Sequence, residues 1–129
     1  MKTLDPGAGK ILIIDDDPDI RTLMQMVLER EGYAVDTARH KEEALEKLRA
    51  STPVLILLDV LLSGSDGREL CQAIKSDSST QKIPIIIFSG HPSVTIDKAR
   101  NFGADDFIAK PLNTELLLQK VERHLTTEA

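Results

Sequence analysis

Residues 54–59 read Val54-Leu55-Ile56-Leu57-Leu58-Asp59, an unbroken apolar run closed by a carboxylate. A run with no polar alternation is the mark of a strand buried on both faces, as at the centre of a parallel sheet. Two further stretches have the same form: Ile11-Leu12-Ile13-Ile14 before Asp15-Asp16-Asp17, and Ile85-Ile86-Ile87-Phe88 between Pro84 and Ser89. Tyr33-Ala34-Val35-Asp36-Thr37-Ala38 mixes in polar residues and Phe107-Ile108-Ala109 is short, so both read as edge strands. Segments of helical period lie between and after the strands. Ile20, Leu23, Met24, Val27 and Leu28 mark one face of a first helix, which Gly32 is placed to end. Ala44, Leu45 and Leu48 mark a second, Leu70, Cys71 and Ile74 a third, and Leu117, Leu118, Val121 and Leu125 a fifth. The fourth, Pro92 to Phe102, carries Val94, Ile96, Ala99 and Phe102 without a clean stripe. Strand and helix alternating in this way predict an α/β fold: a single-domain, doubly wound (βα)5 sandwich around a five-stranded parallel sheet. The folded domain is expected over residues 10–126, with a flexible leader at 1–9 and a frayed tail at 127–129.

The chain has 129 residues and 41% apolar content, enough for one core. A formal net charge of −5 argues against a surface built to neutralise nucleic-acid phosphates. Cys71 is the only cysteine and cannot form an internal disulfide; its apolar neighbours Leu70 and Ile74 point to a buried thiol. No apolar stretch approaches the ~18 residues a membrane span needs, and Met1-Lys2-Thr3-Leu4-Asp5-Pro6 lacks the apolar core of a signal peptide. The expected location is the cytoplasm.

The chemically capable residues follow the strands directly. Asp15, Asp16 and Asp17 come after the first apolar run, Asp59 after the third, Ser89 after the fourth and Lys110 after the fifth. In an open parallel sheet the carboxyl ends of the strands line the crevice where ligands sit, so residues distant in sequence meet there. A lone Asp after a strand is more often a helix cap; agreement among several loops points to a site. Carboxylates crowded together repel and resist ionisation unless a cation compensates. Hard oxygen donors suit Mg²⁺. His40, His91 and His124 are scattered and complete no zinc spacing with Cys71. A hydroxyl from Ser89, an ammonium from Lys110 and a cation around a carboxylate are what is needed to hold a phosphoryl group while that carboxylate attacks phosphorus. Asp59, alone on a central strand, is the natural nucleophile.

These residues resemble the response-regulator receiver domains of two-component signalling, from about Lys10 to Leu125. The resemblance rests on Ile13-Ile14-Asp15-Asp16-Asp17, Leu57-Leu58-Asp59-Val60-Leu61, Phe88-Ser89-Gly90 and Ala109-Lys110-Pro111. It implies a flavodoxin-like, CheY-like sheet in the order 2-1-3-4-5. It also implies that Asp16 and Asp59 bind Mg²⁺ through carboxylates, Leu61 through its backbone carbonyl and Asp15 through water, with Asp17 a bystander. A sensor histidine kinase or histidine phosphotransfer protein would donate from a phosphohistidine to Asp59. Ser89 would then move toward the phosphoryl group and Phe107 swing inward, altering the face of helix 4, strand 5 and helix 5 for a downstream protein. That face is also a candidate surface for a homodimer. The peptide bond between Lys110 and Pro111 is expected to be cis. Leu61 and His91, two residues beyond Asp59 and Ser89, are expected to tune phosphoryl lifetime. Ser63-Gly64-Ser65 stands where many members have a proline nearby, and Asp66 is expected to cap the third helix.

Two other readings compete. In a haloacid-dehalogenase-type phosphatase Asp15 would be the nucleophile and Asp17 the second acid, but such enzymes are usually larger and Asp105-Asp106 precedes the fifth strand instead of following one. A degenerate receiver serving only as an interaction module would not need Asp15, Asp16, Asp59, Ser89 and Lys110 together. Gly7-Ala8-Gly9-Lys10 precedes its strand and lacks phosphate-loop spacing. The expectation is therefore a phosphoacceptor and not an enzyme acting on a separate substrate.

Overall fold

The alternation of strand and helix folds as the period demands. The computed structural model describes residues 2–3, 9–62, 65–90, 101 and 103–127. Strands β1 (Lys10–Ile14), β2 (Ala34–Ala38), β3 (Leu55–Asp59), β4 (Ile85–Ser89) and β5 (Asp106–Ala109) form one sheet in the order β2-β1-β3-β4-β5. All neighbouring strands run parallel. Helices α1 (Pro18–Arg30), α2 (Lys41–Ala50), α3 (Gly67–Ser76) and α4 (Thr114–Leu125) cover it. Here α4 is the helix that the sequence places fifth. The expected helix over 92–102 falls, apart from Asn101, outside the described residues.

Because strand side chains alternate across the sheet, each central strand feeds two cores. Ile11, Ile13, Leu55, Leu57, Ile86 and Phe88 pack with Met24 and Leu28 of α1 and Leu117 and Val121 of α4. Leu12, Ile14, Ile56, Leu58, Ile85 and Ile87 pack on the other face with Ala44 of α2 and Leu70, Cys71 and Ile74 of α3. Every residue of β3 and β4 is buried, whereas β2 is mostly half-buried, matching the central and edge positions read from pattern. Truncating such a buried leucine or isoleucine to alanine costs about 2–5 kcal/mol. The strand ends are consequently anchored in the buried core.

Local chemistry sets the helix ends. Asp17 caps α1, its Oδ1 accepting the Asp19 N–H at 2.9 Å, with Pro18 in the first turn. Gly32, at φ 92°, ends that helix in the left-handed region that only glycine enters freely, and its N–H donates to Glu29 O at 2.9 Å. His40 caps α2, Nδ1 accepting the Glu43 N–H at 3.2 Å. Beyond β3, Leu61–Leu62 pairs antiparallel with Ser65–Asp66, immediately before α3. Asp66 therefore stands at the capping position; its side chain is outside the described residues. Lys2–Thr3, within the segment read as a leader, pairs antiparallel with Thr126–Thr127. No helix among the described residues is long and apolar enough to cross a membrane.

Candidate functional site

Parallel strands deliver their carboxyl ends to one edge. Asp59 and Ser89 are the last residues of β3 and β4, while Asp15 and Lys110 follow β1 and β5 directly. Asp15, Asp59 and Ser89 are buried. Carboxylate oxygens of Asp15, Asp16 and Asp59 all lie within 4.8 Å of one another. Lys110 Nζ sits 3.4 Å from Asp59 Oδ2 and 3.7 Å from Asp15 Oδ2. Its position is held from behind: the Lys110 N–H donates to Ser89 O at 3.0 Å, its ammonium lies 5.1 Å from the centroid of the Phe88 ring, and the bond to Pro111 is cis. Ser89 pairs in register with Ala109, which puts it beside the residue preceding Lys110.

The far side of the crevice depends on Gly67. Its N–H donates to Val60 O at 2.7 Å, and a Cβ there would lie 2.3 Å from Asp59 O and 2.9 Å from the Val60 Cα. Only glycine lets the start of α3 approach the backbone of Asp59 so closely.

Asp15 is held at several points. Its N–H donates to Ala38 O at 3.1 Å, its carbonyl accepts Arg21 Nη1 at 2.7 Å, and its Oδ1 accepts the Asp17 N–H at 2.9 Å. Oδ2, also buried, has no hydrogen-bond partner among the described residues. Burial, and secondarily the charge of Asp59, pushes the Asp15 carboxyl up to about 7 against the opposing pull of the Asp17 N–H and Lys110. A buried anionic oxygen short of donors, beside two more carboxylates, is a donor set that fits a hard divalent cation. Softer candidates lie elsewhere: His40 caps α2, His124 Nε2 meets Asp106 Oδ2 at 3.0 Å, and burial pushes the Cys71 thiol up to about 11.

The structure thus brings together Asp15, Asp16, Asp59 and Lys110, with Ser89 on the same edge. Leu61 lies two residues past Asp59, its backbone paired with Asp66 and its side chain outside the described residues. His91 is also outside them. Phe107 is half-buried on β5 opposite Ile87 and packs against the core beneath α2 and α3. Asp17, read as a bystander to the metal, has work of its own as the α1 cap. Sequence reasoning missed Gly67 and Arg21. A basic residue in the first turn and a half of a helix, where the dipole disfavours it, was the available signal for Arg21.

Comparison with known proteins gives this edge a context. A family model described as the response regulator receiver domain matches residues 11–122. The nitrogen assimilation regulatory protein NtrX of Azorhizobium caulinodans is 44% identical over 123 residues, which are 93% of this chain and 27% of that protein. The transcriptional regulatory protein ResD of Bacillus subtilis is 37% identical, over 88% of this chain and 46% of that protein. This chain spans about a quarter to a half of the length of these curated relatives. Among solved structures, the receiver domain of NtrX from Brucella abortus superposes with TM-score 0.84 at 37% identity, covering 92% of this chain and 99% of that one. The chemotaxis response regulator CheY4 of Vibrio cholerae superposes with TM-score 0.83 at 30% identity, covering 91% and 98%. With its sheet order, its acidic edge and a family match over most of its length, this chain belongs to the response regulator receiver domains, the phosphoacceptor domains of two-component signalling.

Proposed function

We propose that Asp59 is the phosphoacceptor, and that the chain takes a phosphoryl group from the phosphohistidine of a sensor kinase or histidine phosphotransfer protein in a Mg²⁺-dependent step. The observation that carries this reading is the convergence of three carboxylates, one with a buried oxygen that accepts no hydrogen bond, on a lysine 3.4 Å from Asp59. An Asp59 oxygen forms the new O–P bond as the P–N bond breaks, and the electron pair leaves on the donor imidazole. Asp15, Asp16, Asp59 and the Leu61 carbonyl would hold the cation. When bound, Mg²⁺ neutralises crowded carboxylates and draws charge from the phosphoryl oxygens. Lys110, oriented over Phe88, supplies a second positive charge beside the acceptor, and Ser89 a hydroxyl. Ser89 and Phe107 are the residues through which phosphorylation would alter the face around β5 and α4, and Leu61 and His91 those that would tune its lifetime.

The haloacid-dehalogenase reading gains no support: Asp17 Oδ1 is engaged in capping α1, and the family match is to a signalling domain. The test is intact mass after incubation with acetyl phosphate and Mg²⁺. The native chain should gain one phosphoryl group, and Asp59→Asn or omission of Mg²⁺ should abolish the gain. An adduct that persists in Asp59→Asn would move the nucleophile to Asp15.

A further inference from the structure

We propose that Arg21 is a positioning residue for the acidic edge, setting the peptide between Asp15 and Asp16 so that both carboxylates converge on Asp59. The inference rests on the reading of that edge as a Mg²⁺ and phosphoryl site. Helical side chains lean toward the N-terminus, so a long residue one turn into α1 can reach back over its own cap. Arg21 does so: its N–H donates to Asp17 O at 3.1 Å, while its guanidinium passes the cap and donates through Nη1 to Asp15 O at 2.7 Å. That is a short, charge-assisted bond.

Its placement is not explained by helix stability. A cation near a helix N-terminus opposes the macrodipole, by roughly 0.3–1 kcal/mol. What Arg21 contributes is geometry. The carbonyl it holds belongs to the peptide joining Asp15 to Asp16, and the orientation of that peptide plane fixes the direction in which Asp16 leaves β1. With Asp15 N–H tied to Ala38 O and Oδ1 tied to the Asp17 N–H, the Arg21 bond engages the last backbone group of Asp15. Oδ2 is left without a hydrogen bond, facing Lys110 at 3.7 Å. Asp16, exposed in the bend that follows, has its course set by this one clamp and by the Asp17 cap. Groups that orient metal ligands typically change metal affinity by about 10–100-fold when removed.

The experiment is a Mg²⁺ titration of the whole chain followed by backbone amide NMR shifts around Asp15–Asp17 and Asp59, with melting temperature in EDTA measured in parallel. Arg21→Gln should weaken Mg²⁺ binding by about tenfold. Arg21→Lys, which keeps a charged donor but not the planar fork, should recover part of that loss. Observing binding in the folded protein separates positioning from mere stability: a lower melting temperature with Mg²⁺ affinity within twofold of native overturns the proposal. Equal losses in Lys and Gln variants, with no rescue, also overturn it. Failure of the native chain to bind Mg²⁺ would instead bring down the underlying reading of the site, and this proposal with it.

Discussion

Asp15, just past β1, and Asp106, the first residue of β5, are both buried carboxylates, 0% and 5% exposed, yet their acidities diverge. At Asp106 burial works against the charge. It is outweighed by Lys120 Nζ at 2.6 Å, His124 Nε2 at 3.0 Å and the Phe107 N–H at 2.8 Å, which hold the carboxyl down to about 2. At Asp15 burial dominates, Asp59 adds to it, and the carboxyl is pushed up to about 7. One carboxylate has a full set of donors from its own chain; the other has an incomplete set and a neighbouring anion. The contrast teaches that burial alone does not set the acidity of a carboxyl. The count of donors around each oxygen does.

The largest effect that could break this comparison is on stability at Asp106. Its folded pKa lies below the unfolded 3.8, so its contribution is complete above pH 4 and is lost as pH falls through about 2. The shift corresponds to about 2 kcal/mol. Asp106→Asn should cost about 3 kcal/mol in urea unfolding at pH 7, because it leaves the half-buried Lys120 ammonium without its anion. The variant should also lose the acid-dependent limb. A loss under about 1 kcal/mol would mean that the donor set is decorative.

Asp15 should behave in the opposite sense. Its folded pKa is raised above 3.8, so without divalent cation its contribution is present at low pH and lost as pH rises through about 7. Asp15→Asn should therefore raise the stability of the EDTA-treated chain at pH 8, by on the order of 1–2 kcal/mol, and change little at pH 4. Thermal melts at the two pH values check this; destabilisation at pH 8 would show that Asp15 is a structural acid like Asp106. The smallest effect belongs to Asp17, whose exposed side chain caps α1 while its N–H bonds Asp15 Oδ1. Asp17→Ala should lower stability by about 1 kcal/mol and Asp17→Ser by less, read from the same melts.

How much of this was legible beforehand follows from what is local. The runs at 11–14, 55–58 and 85–88 announce central strands because consecutive apolar residues can be buried only between two layers. Polar residues in 34–38 likewise announce an edge. The site was legible because a parallel sheet turns position after a strand into position in space, so Asp15, Asp59, Ser89 and Lys110 could be grouped without seeing them. Asp106 was not. Its partners Lys120 and His124 lie one turn apart on α4, and nothing at 106 says that they will reach it. Gly67 was equally silent, since its necessity comes from the Asp59 and Val60 backbone across the crevice.

By itself, then, the sequence determined the five sheet strands, the two at its edges, the helices between and after them among the described residues, and the residues that gather at the carboxyl edge, because period and strand-end position are properties of neighbouring residues. Only the tertiary structure decided which carboxyl is pushed up and which is held down, that Arg21 bonds the Asp15 carbonyl, and that α3 approaches the Asp59 backbone only through a glycine. Those outcomes depend on which donors arrive from elsewhere in the chain, such as Lys110 across 51 positions to Asp59 or Lys120 across 14 to Asp106. Electrostatic fate is set by distance in space.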